Sequence, residues 1–119
     1  FLPLPPRYTT QYELIRTQIS TLFNDTLELM KTGDTDAITA LRQHCDEIKD
    51  IISDTYHNAH EQLRDGDTSA VAVLYVYVNM LQETLEMVSS LRKYLRAFAK
   101  LHDTDFRTRL PKYIIPSIR

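Results

Sequence analysis

The chain has 119 residues, of which 43% are hydrophobic, enough for one domain with its own core and too few for two. A net charge of −2, with charges of both signs interspersed, excludes the basic field that nucleic-acid binding requires. The lone Cys45 excludes an internal disulfide, and no apolar run approaches the ~20 residues that span a bilayer.

The opening segment, Phe1-Leu2-Pro3-Leu4-Pro5-Pro6, lacks the basic start of a signal peptide. It reads as a proline-rich linker or arm over residues 1–9, and the Phe1 start suggests a piece of something longer. Thr10-Gln11-Tyr12-Glu13 has capping-box spacing, so the first helix is expected over residues 10–31. Its apolar stripe is Ile15, Ile19, Leu22 and Leu29, widened by Phe23 and Met30.

Gly33 and Gly66 are the only glycines, and each is followed by Asp-Thr. Glycine just past a helix end adopts the left-handed conformation without a Cβ penalty, and the Asp or Thr that follows accepts N–H groups of the next helix. Two such hinges divide the chain into three helices. The triplet spacing is close to that of tetratricopeptide arrays, but a single helix fills the interval where those repeats hold two.

The second helix is expected over residues 35–64, with its stripe at Ile38, Leu41, Cys45, Ile48, Ile52, Tyr56, Ala59 and Leu63. The third is expected over residues 68–101 with two stripes. One is Val71, Leu74, Val78, Leu81, Leu85 and Val88; the other is Val73, Tyr77, Met80, Met87 and Leu91. A helix apolar over more than half its circumference sits between two neighbours or lends a face to another chain. That second stripe is the expected interaction face, docking a copy of the chain or another helical domain.

The first helix, about 31 Å long at 1.5 Å per residue, falls short of its longer neighbours. The proline-rich arm, or a second chain, is therefore expected to cover residues 71–77. Residues 102–119 form a tail of interleaved cations and apolar groups whose prolines forbid a continuous amphipathic helix. It reads as a peptide packed on its own bundle, against the alternative of contact with an anionic membrane or a partner groove.

Chemistry is sparsely written. Asp46, Asp50, Asp54, His57 and Glu61 stack along the polar face of the second helix, and Glu83 and Glu86 on the third could join them around a divalent cation. The competing reading is a solvated face balanced by Lys49 and Arg64. Cys45 lies on the buried stripe, no serine sits in a nucleophile elbow, and both glycines are spent on helix ends. Leu41-Arg42-Gln43-His44-Cys45-Asp46-Glu47-Ile48 is similar to the opening of helical chorismate mutases. It stands at the start of the second helix instead of the first, and the cation cluster such an enzyme needs is not written on facing stripes.

Leu27-Glu28-Leu29-Met30-Lys31-Thr32-Gly33-Asp34, then Ala37-Ile38 and Asp46-Glu47-Ile48, together resemble one half of a PhoU domain. The run from Leu74 through Glu83 to Val88 resembles that family's third helix. The resemblance covers about residues 10–101 and implies an all-α, antiparallel three-helix bundle with long helices. It further implies a non-catalytic, cytosolic accessory domain of a bacterial inner-membrane protein of the sodium/phosphate cotransporter type. The family's metal motif, an acidic residue four positions before aspartate, is matched by Asp46 and Asp50. It is broken at Glu86, where Ser90 replaces the second carboxylate. The alternative is a free-standing helical dimerisation or adaptor module unrelated to phosphate, and a third, remoter one is a small all-helical enzyme of the chorismate-mutase type.

Overall fold

A computed structural model describes residues 3–65 and 71–101. Three helices account for almost all of them: α1 (Pro6–Thr32), α2 (Ala37–Asp65) and α3 (Val71–Leu101), arranged as an up-down-up bundle. The second Gly-Asp-Thr triplet and the tail over 102–119 lie outside the described residues.

The first hinge works as its sequence dictates. Gly33 sits at φ 69°, and its N–H donates to the Leu29 carbonyl at 2.8 Å, closing α1. Asp34 then serves the next helix twice. Its Oδ1 accepts the Asp36 N–H at 3.1 Å, and its carbonyl accepts the Ala37 N–H at 3.3 Å.

The start of α1 departs from expectation. The helix opens at Pro6, not Thr10, with Pro5 as its cap and the Tyr8 N–H donating to the Pro5 carbonyl at 3.0 Å. Proline at the first helical position has φ already set and no N–H to leave orphaned, so Pro6 nucleates the turn. The Thr10 capping box is therefore unused, and Glu13 instead holds Arg16 at 2.7 Å. With 27 residues α1 is about 40 Å long, close to its neighbours. The shortfall expected opposite the start of α3 is filled by an extra helical turn rather than an extended arm. Leu4 packs on the core just ahead of that turn.

Packing is centred on α2. Both α1 and α3 lay their apolar stripes on it, and Ile15, Leu22, Cys45, Ile48, Ile52, Leu81, Val88 and Leu95 are essentially inaccessible to water. The expected stripes supply all of this core except Tyr8 and Leu95. Phe23, Met30 and Val71, with Met80 and Met87 of the second stripe on α3, are the exposed exceptions.

α1 and α3 run parallel and meet through tyrosines at their N-terminal ends. Tyr77 packs against Tyr8 with ring centroids 5.2 Å apart and against Tyr12 at 6.2 Å. Its hydroxyl donates to the Tyr8 carbonyl at 3.1 Å. Tyr77, assigned above to an interaction face, is thus a core residue, because the extra turn of α1 covers it.

Two outcomes test this packing. Leu81→Ala is expected to destabilise the fold by roughly 2–5 kcal/mol in urea titrations, since the site is fully enclosed and cannot refill. Gly33→Ala is expected to cost about 1 kcal/mol from backbone strain alone, because nothing lies within 4 Å of an added Cβ.

Candidate interaction face

Two surfaces merit consideration, the polar face of α2 and the open side of the α1/α3 pair. The carboxylates of α2 do stand along one exposed face. Asp46, however, is taken by Arg92 of α3, whose Nε donates to Oδ1 at 2.6 Å and whose second nitrogen donates to Oδ2 at 3.3 Å. His57 and Glu61 form a surface pair at 3.3 Å one turn apart. Asp50 and Asp54 are exposed, and the two α3 carboxylates have different neighbours. Glu83 lies beside Tyr12 and Met80, whereas Glu86 lies with Ser89, Ser90 and Lys93. Among the described residues, no three His, Cys, Asp or Glu groups come together in a way that could hold a metal ion. Side chains stacked along one helix point outward in parallel, so convergence needs a second element, and here that element delivers a guanidinium.

The open side of the α1/α3 pair is different in kind. Both helices rest on α2, but below the tyrosine cluster their backbones do not pack closely on one another. Tyr12 of α1 and Met80, Glu83, Thr84 and Met87 of α3 line a shared depression between them. The helical period extends this side along both rods. Phe23 and Met30 fall about three and five turns beyond Tyr12 on the same flank, with Leu27 at its rim. On α3, Val76 and Tyr94 continue the line of Met80 and Met87. All of these apart from Tyr12 and the buried Thr84 are exposed, Leu27 to 53% and Tyr94 to 55%.

Of the expected interaction face, Met80 and Met87 are therefore exposed, Val73 and Leu91 are half-buried and Tyr77 is enclosed. The exposed line is rotated away from that stripe, onto Val76 and Tyr94. Their spacings of 4, 7 and 7 residues with Met80 and Met87 were present in the sequence. Only the packing distinguishes this line from its neighbour. Contacts between helices, such as Asp46 with Arg92 or His44 Nε2 with Gln18 Oε1 at 2.9 Å, carry no local signal.

Two buried groups have displaced acidities. Burial, with a smaller contribution from Asp46, raises the Cys45 thiol above its ordinary value and disfavours the thiolate. Tyr77 is pushed up to about 12, first by burial and then by Tyr8 and Tyr12. No helix among the described residues is long and apolar enough to cross a membrane.

Both displacements give measurable outcomes. Cys45 is expected to react with a disulfide reagent only as fast as the bundle opens, so its labelling rate should rise with urea and approach that of a free thiol only on unfolding. Tyr77 binds its proton more tightly folded than unfolded, so its contribution to stability is complete below the ordinary tyrosine range. That contribution is lost as pH rises between about 10 and 12. Denaturation midpoints of the native chain should fall more steeply over that interval than those of Tyr77→Phe.

Comparison with protein-family models, with curated proteins and with solved structures returns no match, so the functional reading rests on the chain's own geometry.

Proposed function

We propose that this chain is a non-catalytic helical interaction domain whose working surface is the open apolar side of the α1/α3 pair. One observation carries the reading: Phe23, Leu27 and Met30 on α1, and Val76, Met80, Met87 and Tyr94 on α3, are large apolar side chains left exposed, of which Met80 and Met87 line the groove and the others fall on its flanks by helical period. Exposure of one such residue is ordinary; seven aligned along two helices form a contiguous patch of the kind that marks an interaction site. Three methionines among them supply flexible, polarisable contacts suited to seating another helix.

A narrower reading makes this an accessory domain on the cytosolic side of a bacterial inner-membrane transporter of the sodium/phosphate type. Support comes from the sequence resemblance and from the turn at Gly33-Asp34, which closes one helix and opens the next as that pattern requires. In this role the groove would receive a helical element of the same assembly, coupling its state to transport.

In-cell photocrosslinking tests the surface directly. A benzoyl-phenylalanine at position 94 is expected to give discrete adducts, and one at position 50 on the polar face of α2 is expected to give none. Equal adducts from both positions, or none from 94, would overturn the assignment of the face. The narrower reading is checked by the parent gene: hydrophobic spans encoded upstream of Phe1 support it, and a start codon or secretory signal immediately upstream removes it.

A further inference from the structure

Building on the interaction reading, we infer that the occupant of the α1/α3 groove is a second copy of this chain, related by a two-fold axis running along the groove. The argument begins with register. α1 and α3 are parallel and rise equally per residue, and Tyr12 lies opposite Tyr77. Arg16, one turn beyond Tyr12, therefore falls within about one turn of Glu83 in height, and Phe23 to Met30 fall beside the stretch that ends at Tyr94.

A two-fold axis along the groove sets α1 of each copy over α3 of the other, at equal height. Apolar flank then meets apolar flank along both seams. The Met80 line receives Tyr12 and its following turn, and Tyr94 receives Leu27 and Met30. The same operation sets Arg16 of each copy against Glu83 of the other, twice. Arg16 has further N–H donors besides those given to Glu13, so it can accept a second carboxylate without releasing the first.

Charge decides between a copy and an unrelated helix. Arg16, which Glu13 holds with only part of its donor fork, stands on one flank and Glu83 on the other at matching height, which makes the pair complementary to its own copy under this axis. An axis perpendicular to the helices would place α1 on α1 and α3 on α3 and so would bring no Arg16 against a Glu83. Size agrees as well. The patch is about 30 Å long and about 20 Å wide across two helices, a flat footprint on the order of 600 Å² that side-chain relief brings near the ~800 Å² per partner of stable complexes.

Sedimentation of the native chain across the micromolar range, with four variants, tests the arrangement. The native chain is expected to dimerise, and Met80→Asp with Met87→Asp is expected to give a monomer with unchanged helical circular dichroism. Arg16→Glu alone and Glu83→Lys alone should each weaken the dimer by roughly tenfold or more, and the two together should restore it. All four positions are exposed, so these variants do not threaten the core. A native chain that stays monomeric overturns the inference while leaving a groove that still crosslinks another protein through position 94. A dimer indifferent to Met80→Asp with Met87→Asp overturns the inference and also removes the groove as the docking surface. A dimer lost in that variant but not rescued by the charge exchange overturns the two-fold axis proposed here.

Discussion

The bundle depends on the apolar stripe of α2, because that helix alone is packed from two sides. Cys45, Ile52 and Ala59 have no accessible surface at all, and Ile48 has almost none. Ala59 and Cys45 are small, which lets neighbouring helices approach closely where Ile48 and Ile52 fill the intervening space. With α2 as shared floor, α1 and α3 each satisfy their stripes without needing one another. This leaves the space between them open.

The tyrosine cluster limits how far that opening extends. Tyr8, Tyr12 and Tyr77 close the end of the bundle where both helices begin, and the Tyr77 hydroxyl finds its acceptor in the backbone of α1. A buried phenol without a partner would be costly, so this hydrogen bond and the rings around it fix α1 in height as well as in orientation. Everything inferred about which residue of α1 stands beside which residue of α3 follows from this anchor. Pro6 matters for the same reason: by starting the helix one turn early it brings Tyr8 into reach.

Between the anchor and the far end, the two outer helices present methionines, a phenylalanine and a tyrosine to a groove whose polar members are few. The polar face of α2 offers a contrast. It is rich in carboxylates, yet several of them are engaged by neighbouring side chains, as Asp46 holds Arg92, Glu61 meets His57 and Glu47 accepts from Gln43. Exposed pairs of this kind contribute little to stability and keep the face solvated. The proposed division of labour is thus a polar back that stays in water and an apolar front that seeks a partner.

The sequence by itself determined the helices and most of the core. Period-3.6 patterning marks Ile15, Ile19, Leu22 and Leu29, then Ile38 to Ala59, then Leu74 to Val88. Glycine at a left-handed position fixes one hinge, and these are local properties of the backbone and of burial on one side. It also held the signal for the early start of α1 in Pro5-Pro6, outweighed in reading by the capping box at Thr10. Tertiary structure alone decided which of two adjacent stripes on α3 was buried. Tyr77 and Met80 differ by less than a quarter turn around the helix, and whether either meets solvent depends on where α1 lies, a contact between residues far apart in sequence. The pairing of Asp46 with Arg92 and the exposure of the Val76-Met80-Met87-Tyr94 line have the same origin. Each depends on the relative rotation and height of packed helices, which no single helix encodes.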